Sequence, residues 1–483
     1  MMKKIFFLLL VCQQIVTILF AQNVAINNDG SQANPRAILD LKSTNKGFFL
    51  PRMTTAQRLA IPAQQSDAGL LVYDLDKQVF YMFNGAAWVP IENGAETKIN
   101  PVNNFAADGA EQDYFGRCVA IEGDYAVIGA TGCDIAGNAN QGAAYVFMRT
   151  STGWVQQTKL TASDGQANDV FGLTVGISGD YIVVGSAGTV NGKIGQGAVY
   201  VFKRNGNNWE QQAKLTASDG AAYDYFGNAL KIENDIIITG ASGDDIGNNG
   251  DQGSVYLFTR NGSTWTQTAK LTANDGIPGD EFGQSIDKYG DYIVVGAPYK
   301  TIGVNFGQGS VYVFHLFNNS FWVQQQKLFI PQGQKEDYFG KSVAIYNNTI
   351  VVGVPGGRSG TLEAVGRVSI YKLDYTGSWY YQTTLYLGDG EAYDEFGIAV
   401  DMNENKIIVG AHYRNVDEHH EGVVLVYQML NTWGYQRQIT DIEPMPVQGF
   451  GKACAIDRLS NRYIIGSLNK SSYRGAVSFG VTE

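Results

Sequence analysis

The sequence predicts an all-β fold: a seven-bladed β-propeller of four-stranded antiparallel blades, its ring closed by an N-terminal strand, behind a small β-rich module. Three observations predict it. A Phe-Gly pair recurs at Phe115-Gly116, Phe171-Gly172, Phe226-Gly227, Phe282-Gly283, Phe339-Gly340, Phe396-Gly397 and Phe450-Gly451, with spacings of 56, 55, 56, 57, 57 and 54 residues. A period that regular marks a repeat architecture. Each interval carries the same order: an alternating segment such as "KSVAI", a polar turn, a β-branched run such as "YIVVGAP", a Gly/Asp/Asn-rich loop, "QGSVYVF", a second turn and a Trp-led strand such as "WEQQAKLTA". That is four strands per unit with no helical period. Finally, the seventh unit ends after its third strand, while the segment around 97–107 reads like a fourth.

Each element has a physical reason. A four-stranded sheet cannot bury both faces alone, and radial stacking buries them against neighbours. The seven phenylalanines are then wedges between blades. The glycines let the innermost strand start where a Cβ would crowd an adjacent backbone. Trp154, Trp209, Trp265, Trp322, Trp379 and Trp433 mark six outer strands. Pairing residues 97–107 with 475–481 supplies the seventh and removes two exposed edges.

These units resemble bacterial FG-GAP repeats, related to the propeller of integrin alpha subunits. The resemblance rests on Phe-Gly, then "VVGAP" at 294–298 or "VVGVP" at 351–355, then "QGSVYVF", and covers about 98–483. It implies a propeller used for binding. Integrin-type units often carry an Asp-x-Asp-x-Asp-Gly calcium loop between the first two strands. Here those turns are only "EGD", "SGD", "END", "YGD", "YNN" and "NEN", so calcium of that type is not implied.

The remaining chain divides at residues 21 and 96. Residues 1–21 read as a signal peptide: Lys3 and Lys4, an apolar run, and Leu19 and Ala21 before the cleavage point. This predicts export and a secreted or cell-surface address. A lipid anchor at Cys12 is disfavoured by Val11. No later run is long enough to cross a membrane. Residues 22–96 resemble a short module of Bacteroidetes secreted and phage-tail-fibre-like proteins, through "ILDLKSTNKGFFLPRMTTAQRLAI" and "GLLVYDLDKQVFYMFNGAAWVPI". Thr54 and Gln57 form a capping box for a short helix, and Asn84-Gly85 is a hairpin turn. The module serves attachment, oligomerisation or spacing.

The full chain carries 35 basic and 46 acidic side chains, a net charge of −11. Losing two leader lysines makes it −13, which argues against nucleic acid or an anionic membrane as partner. Cys118, Cys133 and Cys454 are too few for a disulfide framework. Because Cys118 and Cys454 occupy similar places in the first and seventh units, a ring-closing bridge is one reading and packed thiols the other.

Little in the chain points to catalysis. The only histidines are His315, His412, His419 and His420, too few for a recognisable triad. The segment "HYRNVDEHHEG" could hold a transition metal, but reads more simply as a solvated loop. "GSTW" at 262–265 resembles the end of a sialidase Asp box, yet Arg260 stands where its Asp belongs. An Asp-Gly-x-x-x-Asp motif precedes most Phe-Gly pairs: Asp108/Asp113, Asp164/Asp169, Asp219/Asp224, Asp275/Asp280 and Asp389/Asp394. These carboxylates either build the turn or bind calcium weakly; no other cofactor is indicated. The leading function is non-catalytic binding of an extracellular protein or glycan. The alternatives are a glycan-active hydrolase or lyase with channel carboxylates and a purely structural surface protein. The variable loops joining second to third strands define the expected binding face. Asp244, Asp245, Tyr299, Arg358, His412 and Arg414 are its expected contacts. The many acids there predict a negative face suited to a cationic partner.

Overall fold

The computed structural model describes residues 24–27, 39–42, 49–91 apart from 63, 68, 77–78 and 84–87, and 102–482 apart from 319, 416–420, 430–431 and 442–448. The leader, Cys12, the Asn84-Gly85 turn, His419 and His420 lie outside these residues. Two compact units emerge, Met1–Thr97 and Lys98–Glu483.

In the first unit Val24–Asn27 pairs in parallel with Leu39–Lys42. A four-stranded sheet is built from Arg52–Met53, Leu71–Asp74, Val79–Phe83 and Trp88–Ile91. The last two strands pair antiparallel, as the hairpin reading requires. The helix Thr55–Leu59 starts with the expected capping box: the Thr54 hydroxyl accepts the Gln57 N–H, and the Gln57 side chain accepts the Thr54 N–H. It also delivers Arg58 to Asp74 at 2.9 Å, with both side chains buried and the guanidinium 3.7 Å from the centroid of Tyr81. A buried charge needs such a partner.

The second unit is all-β, with repeated four-stranded antiparallel sheets in a propeller-like arrangement. In the first sheet Phe115–Glu122, Tyr125–Ala130, Ala143–Thr150 and Gly153–Leu160 pair in chain order. Six sheets share a register shift between third and fourth strands, at Val146/Phe147, Val201/Phe202, Leu257/Phe258, Val313/Phe314, Ile370/Tyr371 and Val426/Tyr427. Such bulges increase local twist. The last sheet combines Phe450–Ile456, Arg462–Ser467 and Ala476–Val481 with Val102–Asn104 from the start of the unit. Asn104 faces Val477 and Val102 faces Phe479 in the antiparallel ladder.

The core lies between sheets. Phe171 packs with Val127, Ala144 and Val146 of the first sheet and Val175, Ile182 and Tyr200 of the second. Phe115 likewise packs with Ile464, Val477 and Phe479. All seven phenylalanines are fully buried, and burying one contributes about 1.5–3 kcal/mol. The paired glycines have left-handed backbones, φ from +84° to +99°. A Cβ on Gly172 would sit 2.2 Å from the Ala143 carbonyl oxygen of the preceding sheet, and one on Gly340 2.8 Å from that of Ser310. Only glycine satisfies both conditions. The tryptophans reach sideways too: Trp209 donates to Gln157 at 3.1 Å and meets the ring of Tyr125 edge-on.

Cys118, Cys133 and Cys454 are free thiols, so the ring-closing bridge is absent. Cys118 instead donates to the Gly172 carbonyl at 3.1 Å, which directs its sulfur into the next sheet. Burial raises the Cys118 and Cys133 thiols to about 12, leaving them unreactive.

Candidate binding face

Two families of loops interlock at the Phe-Gly ends of the innermost strands. The Asn168 N–H donates to Ala139 and the Tyr223 N–H to Ile194, both at 2.8 Å. Each bond joins the segment before a Phe-Gly pair to the second-to-third loop of the preceding sheet. The second aspartate of each motif turns the chain there: Asp113, Asp169, Asp280 and Asp394 accept the N–H three residues earlier at 2.7–2.8 Å. The residues on either side of it take left-handed backbones, and apart from Gly279 they are not glycine, as at Tyr223 (φ 68°), Tyr225 (φ 55°), Tyr338 (φ 55°) and Tyr393 (φ 69°). This conformation costs about 1–2 kcal/mol per residue and persists because the interlocking hydrogen bonds hold it. It leaves Tyr223, Tyr225 and Tyr393 substantially exposed.

The first aspartates are equally committed. Asp108, Asp164 and Asp275 each accept from a tyrosine hydroxyl (Tyr145, Tyr200, Tyr312) at 2.7–2.9 Å and a lysine (Lys159, Lys214, Lys327) at 2.7–2.8 Å. Asp219 does the same with Tyr256 and Lys270. Burial pushes these carboxyls up, but the lysine and tyrosine hydrogen bonds outweigh it and hold them below the ordinary value. The paired aspartates therefore act as turn and strand anchors. Among the described residues no three His, Cys, Asp or Glu side chains converge as a metal site.

The six expected contacts separate into two groups. Asp244, His412 and Arg414 are buried. Asp244 accepts from Tyr256 and pairs with Lys270 at 2.7 Å. Arg414 bridges Asp389 at 2.9 Å and Asp394 at 2.8 Å. Burial lowers the His412 pKa to about 3, so the ring is neutral. These three shape the loops from within. Asp245 and Arg358 are exposed, Arg358 beside Glu363 at 2.9 Å. Tyr299 is half-buried and edge-on to Tyr338 at 5.5 Å.

Four of the acids expected to charge this face turn inward. Asp244, Asp280, Asp337 and Asp394 are 6% exposed or less, paired with Lys270, Lys300, Arg367 and Arg414. They were expected to make the face negative, but each is buried against a cation inside the fold, which leaves the exposed Asp245 and Asp251 to carry negative charge on the surface. At the start of the innermost strands, directly after Phe-Gly, stand Arg117, Lys341 and Lys452. The sequence reading missed them. The signal was a variable position inside an otherwise constant motif.

A cavity of about 430 Å³ lies further along these strands, toward their opposite ends, lined by Glu122, Glu233, Asp287, Asp401 and Arg458 among others. Arg458 crosses it to Glu233 at 3.0 Å, Asp287 at 2.9 Å and the Lys288 carbonyl at 2.9 Å. Lys231 adds a second partner for Asp287 at 2.8 Å. Burial raises the Asp287 carboxyl, yet Lys231 and Arg458 outweigh it and the net shift is downward. Burial raises Asp401 and Glu122. No motif brings these residues together in sequence; Arg458 and Glu233 are 225 positions apart.

Six segments, 105–147, 154–202, 209–258, 265–314, 322–371 and 379–427, match the FG-GAP repeat family. Residues 25–106 match the family described as a phage tail like trimerisation region. Among solved structures, the crystal structure of the Saccharomyces cerevisiae Sqt1 aligns over 79% of this chain and 100% of that one, at 11% identity and a TM-score of 0.42. No curated protein matches the chain. Among the described residues no helix is long and apolar enough to cross a membrane.

Proposed function

The chain belongs to the FG-GAP repeat family, and on that premise we propose that it is an exported, trimeric, non-catalytic binding protein that recognises an extracellular ligand through the loop face at the Phe-Gly ends. The observation that carries this reading is the array of exposed tyrosines held there in left-handed backbone. Large, rigid, amphipathic side chains on an interlocked scaffold give contact area with little entropy to lose. Oligomerisation is supported by the match over 25–106. Three copies joined in one assembly would raise avidity without new contacts.

The body is a seven-bladed closed ring in this reading. Its support is the pairing of Val102–Asn104 with Val477–Phe479, and the approach of Gly466 to Gly116, where a Cβ would lie 2.2 Å from the carbonyl oxygen. The same glycine approach joins Gly129 to Gly172 and Gly353 to Gly397. Against catalysis stands the state of two of the cavity carboxylates: Glu233 and Asp287 are tied to Lys231, Lys288 and Arg458, with little freedom to act as acid or nucleophile.

The test is a glycan and extracellular-protein binding screen on the full mature chain, with sedimentation equilibrium for mass. A trimer whose captured ligand is lost when loop 242–252 is replaced by the corresponding 187–196 loop agrees with the reading. A monomer, or binding untouched by that replacement and by a Tyr223→Ala/Tyr393→Ala pair, overturns the part concerned.

A further inference from the structure

Three cations stand directly after Phe-Gly pairs, at the same end of three innermost strands, in a protein of net charge −11, close enough for the charges of Arg117 and Lys341 to act on Lys452. Arg117 is exposed, while Lys341 and Lys452 are half-buried. Among the described residues no carboxylate lies within 4.0 Å of any of the three, unlike Lys159, Lys214, Lys270, Lys300 and Lys327 elsewhere in the sheets and loops. Burial depresses the Lys341 and Lys452 ammoniums, and for Lys452 the nearby charges of Lys341 and Arg117 add to it. Beyond 4.0 Å, Glu281 and Glu395 act on Lys341 and Glu395 acts on Lys452, partly offsetting these effects. Their own carboxyls are raised by burial.

His412 completes the arrangement. Its Nε2 stands 3.5 Å from the Lys452 Nζ, and its Nδ1 is buried without a hydrogen-bond partner, 3.6 Å from Glu395. A neutral imidazole can accept from the ammonium through Nε2 and direct Nδ1–H toward Glu395, so it positions Lys452 without cancelling its charge. Partly buried ammoniums held together without close counter-charges are costly unless something supplies the charge. Arrangements of that kind concentrate at functional sites.

We infer that the Phe-Gly end of the innermost strands is an anion-recognition site, taking the carboxylate or sulfate of an acidic saccharide between Lys341, Lys452 and Arg117. The inference rests on the loop-face reading above and names its ligand class. The saccharide is favoured by the aromatic wall beside the cations: Lys341 Nζ lies 5.6 Å from the ring centroid of Tyr299, itself edge-on to Tyr338. A sugar ring presents an apolar face to such a wall while its acidic group reaches the ammoniums. An acidic peptide could also meet the cations, but it gains nothing from stacking a sugar face on this wall, so the poly-glutamate titration separates the two. The expected partner is thus anionic at this end of the strands, opposite to what counting acids in the loops suggests.

The test is calorimetric titration of the full mature chain with oligogalacturonate, a heparin hexasaccharide, neutral dextran and poly-glutamate, at low and moderate salt. Binding of either acidic oligosaccharide, with dextran silent, is expected, and the two acidic probes distinguish carboxylate from sulfate. Lys341→Gln/Lys452→Gln should weaken it at least tenfold and flatten its salt dependence, with the melting temperature unchanged or raised. Lys335→Gln, an exposed lysine beside Glu336, should change nothing. Equal binding to wild type and the double variant, preference for poly-glutamate, or no binding to either acidic saccharide overturns the inference. If another ligand binds and is lost on replacing 242–252 but not in the double variant, the loop-face reading stands and the anion site falls. If neither change affects binding, both fall.

Discussion

Replacing Gly172 by Ala isolates what the Phe-Gly glycine does. Two costs arise at this position. The backbone sits at φ +91°, where an L-residue loses about 1–2 kcal/mol. The new Cβ would also lie 2.2 Å from the Ala143 carbonyl oxygen, with the Ala130 nitrogen at 3.1 Å. Both are backbone atoms of the preceding sheet, so two sheets must separate by most of an ångström. Overpacking of this kind adds about 1–3 kcal/mol, for a total near 2–5 kcal/mol. Gly123 is the matched control: its φ is +57° and a Cβ there meets nothing within 4 Å, so Gly123→Ala should cost only the backbone term. With unfolding entropy of about 2.1 cal/mol/K per residue, the 98–483 unit melts with roughly 0.8 kcal/mol/K. Gly172→Ala should then lower Tm by ~3–6 °C and Gly123→Ala by ~1–2 °C if the unit unfolds cooperatively. Differential scanning calorimetry at several scan rates measures both. Equal losses in the two variants would refute the claim that close approach between sheets, rather than the turn conformation, requires glycine.

Other perturbations test different parts of the unit. Arg458→Met leaves Glu233 and Asp287 without the cation that spans them and should cost about 3–5 kcal/mol; an unchanged urea midpoint would show that Lys231 and Lys288 suffice. Asp401 is an acid whose pKa is raised in the fold by burial, so its ionisation penalises the native state once pH exceeds the ordinary carboxyl value. Asp401→Asn should therefore stabilise the protein at pH 7, keep accepting the Ile456 N–H, and lose its advantage below about pH 4; a gain independent of pH would point to packing instead. Removing residues 97–107 strips the strand partnered with Val477–Phe479 and should reduce Tm sharply; an unaltered melting curve would sink that role. The first-to-second turns should show no micromolar calcium site by calorimetry, because Asp124, Asp180 and Asp235 are each paired with an arginine (Arg149, Arg204, Arg260); heats abolished by mutating these aspartates would overturn this.

Local and periodic features were legible in the sequence because each repeats its own cause. The Phe-Gly pairs, the four-strand order, the capping box at Thr54 and Gln57, and the pairing of the two ends of the repeat region depend on neighbours or on a recurring unit. One repeat therefore informs the others. The turn role of Asp169 and Asp394 is local for the same reason. What the tertiary structure alone decided depends on residues that touch across sheets. Arg458 meets Glu233 and Asp287 only because three innermost strands converge on one cavity. Asp244 and Arg414 look like loop residues free to bind, yet burial and counter-charges commit them internally. The cations after Phe-Gly are the reverse case: Arg117, Lys341 and Lys452 are unremarked letters in separate repeats, and stacking the sheets puts them at the same end of the innermost strands. A one-dimensional pattern records what each residue is and its period, while net local charge depends on which partners arrive from distant repeats and how much water the packing removes.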